Sequence, residues 1–136
     1  MIQNISMQHD LDNIIYEAVK LVHEGKISAL DAAKKLNKDQ ICSVNSFKNW
    51  IVPTYKYMLS GIIVRGTISL SLRELFLKKI LEEYGAEKLG VALRSYEKTI
   101  NYYENRGVRK PGDEALYNKY WHIYSSVLSN NETFDK

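Results

Sequence analysis

From Asp10 to Leu128 the apolar residues recur at helical spacing, segment after segment, and most segments close on a glycine. That rhythm narrows the choice of fold sharply. A half-buried strand needs strict alternation, whereas a helix needs apolar residues at i, i+3, i+4 and i+7. The first helix reads from Asp10 to His23. Its stripe is Leu11, Ile14, Ile15, Ala18, Leu21 and Val22, and Gly25 stops it. Ser28 can cap a second helix over residues 28–36, with Ala32, Ala33 and Leu36 facing inward and Asn37 as a left-handed stop.

The turn NKDQICSV leads to a third helix capped by Asn45 or Ser46. Pro53 falls inside it. A proline removes a helix hydrogen bond and clashes with the preceding turn, so a kink or a break is expected near Ile51–Val52, giving a short helix 46–52 and a second piece 54–60. Gly61 and Gly66 bracket the apolar connector IIVR. Ser69 or Ser71 opens the next helix, which is apolar around more than half its circumference and ends at Gly85. Such a helix belongs in the middle of a bundle. Ala86 to Arg106 forms a further helix stopped by Gly107, and Asp113 and Glu114 open a last, aromatic helix reaching about Leu128. Two prolines and seven glycines also argue against a turn-rich β fold. The expectation is an all-α chain: a compact bundle of six or seven helices with a helix-turn-helix-like N-terminal half. It is read as one domain over 1–136, with 1–9 and 129–136 as frayed ends, a length at which one core suffices.

The residues exclude much chemistry. A single cysteine, Cys42, allows neither an intramolecular disulfide nor a multi-cysteine metal site. His9, His23 and His122 have no partners at metal-ligand spacing. No phosphate-cradling glycine loop is present. Glu82 and Glu83 are adjacent and point about 100° apart on a helix, so they cannot share a substrate. The reading is therefore a non-enzyme with no catalytic residue, no metal and no cofactor. The opening MIQNISMQHD has no signal-peptide pattern. No run approaches the ~18 apolar residues of a membrane span. A cytoplasmic protein without membrane contact is expected.

Charge is unevenly spread. The formal net charge is +3, but residues 26–66 hold seven basic residues against two acidic ones. A local basic excess is the electrostatic footprint of a nucleic-acid binder, and solvated lysines on a helix surface give the same count. A helix-turn-helix needs a short helix, a tight turn and a second helix whose early residues enter the major groove. Residues 28–36 supply the first helix, and Ser46, Lys48 and Asn49 sit early in the second. Asn pairs with adenine, Lys with guanine, and Ser with base or phosphate. Lys34, Lys35 and Lys38 would hold the unit on phosphates, with Arg65 beyond. The linker of about eight residues exceeds the usual three or four.

From Tyr57 the text runs YKYMLSG, then RGTISLSLRELFLKKILEEYGAEKLGVALRSYEKTINYYE. Over residues 45–105 this resembles a small helical module at the N-terminus of bacterial HNH-type endonucleases and related restriction-like proteins. The resemblance rests on Met58-Leu59 before Gly61, Arg65 with Thr67-Ile68-Ser69, Leu77, Ile80, Tyr84-Gly85, Ala92-Leu93, and Ile100 with Tyr102-Tyr103-Glu104. It implies a module that helps a nuclease engage or select duplex DNA, linked to restriction, phage defence or a mobile element. Pro53 and the lack of an HNH segment depart from that pattern. A second reading is a protein-interaction factor, a phage- or mobile-element-encoded inhibitor or adaptor. It would use Arg94, Lys98 and Tyr102 with Tyr117, Trp121 and Tyr124 against a partner or a second copy, since interfaces favour Tyr, Trp and Arg.

Overall fold

A computed structural model describes the backbone of residues 2–62 and 68–135, and the side chains of 8–62 and 68–129. Among the described residues every regular element is helical: α1 (Ile2–His23), α2 (Ala29–Lys38), α3 (Val44–Ser46), α4 (Val52–Ser60), α5 (Leu70–Tyr84), α6 (Ala86–Glu104) and α7 (Pro111–Asp135). A π-helical turn, Phe47–Ile51, joins α3 to α4 without interruption. The all-α expectation holds. The chain packs as two compact units, Met1–Lys56 with Gly66–Phe76, and Tyr57–Arg65 with Leu77–Lys136. The first helix begins at Ile2 and the last runs to Asp135.

In the first unit α1 packs on α2, and α2 on α3 and the π turn. The buried residues are Ile15, Tyr16 and Val19 of α1, Ala32, Ala33 and Leu36 of α2, Phe47 and Ile51 of the π turn, Tyr55 of α4, and Leu72 and Phe76 of α5. Three of their rings interlock: Tyr55 meets Phe76 edge-on at 5.1 Å between centroids, and Tyr16 lies 6.0 and 6.1 Å from Tyr55 and Phe76. Edge-to-face pairs of this kind add about 0.5–1.5 kcal/mol each beyond the area they bury.

The face of α1 is turned from the expected stripe. Ile14 and Leu21 are 44% and 42% exposed, while Asp12, Ile15, Tyr16 and Val19 face inward. That inward set has the i, i+3, i+4, i+7 spacing, with an aspartate at one of its positions.

Pro53 does not break the third helix. The π turn carries the Val52 N–H to the Phe47 carbonyl, five residues back. A wider turn gives the proline ring room, which is how π turns commonly relieve a helix. The buried Thr54 hydroxyl donates to the Trp50 carbonyl at 2.6 Å, adding a bond beside the donor the proline lacks. The left-handed stop after α2 is Gln40, φ 59°, and not Asn37, which lies inside the helix. Gln40 N–H reaches the Asn37 carbonyl and Ile41 N–H the Leu36 carbonyl, the paired bonds of a Schellman end.

In the second unit α6 packs along α7. Met58 and Leu59, Leu77 and Ile80, Leu89, Ala92, Leu93, Tyr96 and Ile100, and Leu116 and Tyr120 are buried there. Two α6 side chains tie down the end of α4: Ser95 Oγ donates to the Ile62 carbonyl at 2.5 Å and Lys98 Nζ to the Gly61 carbonyl at 3.0 Å. Gly90 lies against Tyr124, and a Cβ there would stand 2.8 Å from the phenol oxygen and 2.9 Å from two ring carbons.

Candidate functional site

The helix pair suggested by SALDAAKKLN is formed. Ser28 Oγ accepts the Asp31 N–H at 3.0 Å and opens α2. Ser43, rather than Asn45 or Ser46, opens the next helix by accepting the Ser46 N–H at 3.0 Å. With α2 extended to Lys38 and α3 starting at Val44, the linker shrinks to residues 39–43, closer to a helix-turn-helix turn than the eight residues expected.

Lys34, Lys35 and Lys38 are exposed on α2, on the side away from Ala32, Ala33 and Leu36. On the first turns of the second helix Asn45, Lys48 and Asn49 are exposed at i, i+3 and i+4, as is Trp50, while Phe47 is fully buried. Among the described residues none of Lys34, Lys35, Lys38 or Lys48 has a carboxylate partner. Asn49 Nδ2 donates to Asn45 Oδ1 at 2.5 Å, which leaves its amide oxygen and one N–H to face outward. Asn45 was not among the sequence-based site residues. Its signal was the i, i+4 spacing to Asn49, hidden by the expectation that it was a cap.

Ser46 is half-buried and stands apart from this exposed set. Its hydroxyl accepts from Ser43 Oγ at 2.9 Å, and it lines a cavity shared with Asp12. A phosphate would meet a carboxylate there, so Ser46 is poorly placed for a backbone contact. Arg65 lies outside the described residues.

The aromatic residues of α7 form a ladder. Tyr117 and Trp121 stack with centroids 6.4 Å apart and planes 13° from parallel, and Tyr124 follows at 5.5 Å. Trp121 is 45% exposed. Tyr117 donates to Glu97 Oε2 at 2.9 Å; burial first, then this carboxylate, pushes its phenol up to about 12. Arg94, Lys98 and Tyr102 do not join the ladder. They run along a line roughly 100° around α6 from the side that holds Glu97, Asn101 and Gly90 against α7. Lys98 is occupied at Gly61, and Tyr102 lies under the Arg106 guanidinium at 3.7 Å. The two halves of the proposed interaction patch thus lie on different helices, Arg94, Lys98 and Tyr102 on α6 and the ladder on α7.

Beside the ladder a groove of about 500 Å³ is lined by Glu97, Glu104, Arg109, Glu114, Tyr117 and Asn118. Hydrogen bonding between Glu104 and Glu114 holds the Glu104 carboxyl above its ordinary value. Arg109, 3.0 Å from Glu114 Oε2, holds Glu114 below. Among the described residues no group of His, Cys, Asp and Glu converges on a metal position. Burial pushes the half-buried Cys42 thiol up, away from the thiolate that a nucleophile requires. No helix among the described residues is long and apolar enough to cross a membrane. Comparison with family models, curated proteins and solved structures finds no match.

Proposed function

We propose that this chain is a non-catalytic, cytoplasmic DNA-binding protein that engages duplex DNA through α2, the 39–43 turn and the first turns of the following helix. The observation that carries this reading is the pairing of a formed two-helix unit with four outward lysines that have no carboxylate partner among the described residues. Lys34, Lys35 and Lys38 hold phosphates; Lys48 and Asn49, joined by Asn45, face base edges. The resemblance of residues 45–105 to the HNH-associated module supports a role beside a restriction, phage-defence or mobile-element system. The test is binding of the purified chain to labelled duplex across a salt series. Micromolar binding that weakens steeply with salt supports the reading, and absence of binding at low salt removes it.

One observation favours a second reading, a protein partner or a second copy on α7. Trp121 keeps 45% of its surface exposed although it is stacked between two other rings. Exposed, rigid aromatics of this kind are typical interface anchors. Trp121→Ala should abolish such an assembly with little loss of melting temperature. Unfolding on that substitution returns Trp121 to the core.

A further inference from the structure

The first unit contains a second concave feature that the DNA reading does not use. A cavity of about 250 Å³ is walled by α1, by the α3–π-turn segment and by the start of α5. Its volume lies below the ~300–1,000 Å³ of sites for drug-sized ligands, so its occupant is small.

Asp12 lines this cavity and is only 4% exposed. Among the described residues its one hydrogen-bond partner is the Gln8 amide, which donates to Oδ1 at 3.0 Å. An ionised carboxylate offers about four acceptor positions, and a buried charge is costly unless paired and hydrogen-bonded. The Gln8 amide, the Ser46 and Ser69 hydroxyls and the Trp50 indole N–H make up the other polar groups of the wall. Ser46 and Ser69 present hydroxyl oxygens, and the Ser69 oxygen already receives the Leu72 N–H at 3.2 Å. No lysine or arginine lines the cavity among its described residues. The wall thus sets one carboxylate, Asp12, opposite no basic side chain among the described residues.

The rest of the wall is apolar. Ile15, Ile51 and Leu72 are buried, and Trp50, 45% exposed, supplies an indole. Indole faces attract cations and flat groups. Trp50 and Ile51 belong to the π turn, and π turns are frequent at functional sites.

We infer that this cavity binds a free small organic cation, a protonated amine or guanidinium carried on a short apolar body. The cation completes the coordination of Asp12, and its body lies between the aliphatic wall and Trp50. This inference goes beyond the DNA reading and does not rest on it.

The test uses the full chain with Trp121→Phe, so that Trp50 is the single indole. Its emission is followed during titration with benzylamine and agmatine, and with benzyl alcohol as the neutral counterpart, at constant ionic strength. Both amines should produce a saturable change, with benzyl alcohol at least about tenfold weaker, the scale of a hydrogen bond to a charged group. Asp12→Asn should weaken the amines by a similar factor while circular dichroism keeps its helical signal. If that variant fails to fold, the amine–alcohol pair on the Asp12 chain decides. No saturable change with either amine up to about 10 mM, or equal binding of amine and alcohol, overturns the inference.

Discussion

Replacing Lys34, Lys35 and Lys38 together by Gln should flatten the salt dependence of duplex binding. Each lysine that neutralises a phosphate releases condensed counterions, and log K falls with log salt at a slope of about −0.9 per contact. Lys34, Lys35 and Lys38 are exposed on α2. If all three contact phosphates they contribute a slope of about −2.7, a drop in affinity of roughly 40-fold between about 50 and 200 mM salt. The triple Gln chain loses that share of the slope. The substitution is mild for the fold. Gln is nearly as good a helix former as Lys, and no ion pair among the described residues is lost. Stability should therefore change by no more than about 0.5 kcal/mol per site. The assay is fluorescence anisotropy of a labelled duplex of about three helical turns, with Lys78→Gln and Arg94→Gln in the second unit as controls. A triple variant that keeps the native slope, or controls that lower it equally, would refute the assignment of α2 as the phosphate-contacting surface. Asn49→Ala adds a separate check: it should lower affinity for a preferred sequence by about 1–3 kcal/mol and leave the slope unchanged.

Three further outcomes follow from local geometry. Gln40 holds a left-handed backbone at φ 59°; Gln40→Gly should stabilise the chain by about 0.5–1 kcal/mol in thermal or urea unfolding, the relief of strain less the added freedom of the unfolded chain. Gly90→Ala places a methyl 2.8–2.9 Å from the Tyr124 ring and should destabilise by about 1–3 kcal/mol despite better helix propensity, with Tyr124→Leu recovering part of the loss. Tyr117 keeps its proton to about pH 12 when folded and only to its ordinary value near 10 when unfolded. The folded chain thus binds the extra proton between these values, and its contribution to stability is complete below pH 10 and lost as pH rises toward 12. Tyr117→Phe should remove one late step, near pH 12, from the phenolate absorbance titration and lessen that alkaline fall.

The helical class and most helix ends were legible because periodicity and capping are local. Gly25, Gly61, Gly85 and Gly107 all stand at positive φ where helices end. The rotation of α1 was not legible. Hydropathy counts Asp12 as a surface residue, so the stripe was drawn through Ile14 and Leu21 rather than through Asp12, Tyr16 and Val19. The π turn of the third helix was missed for a similar reason. Pro53 breaks an α-helix, and nothing in the spacing of FKNWI announces a wider turn that absorbs it. The basic residues of the candidate interface were readable from charge and position, and their exposure agrees. The half-burial of Ser46 was not legible because its surroundings come from α1 and α5, far away in sequence. The Asp12 cavity was invisible for the same reason: it exists only once three segments meet.

The π turn also has a meaning for ancestry. A helix that widens over Phe47–Ile51 holds one residue more in that turn than an α-helix would. A relative whose corresponding helix is wholly α-helical would align with a one-residue gap inside this span, with matching buried positions on either side. Removing one residue here would let the turn close to α-helical geometry and leave Tyr55 and Met58 on the faces they now fill. The same stretch that absorbs a proline thus marks where the chain's history could have lengthened it by a single codon.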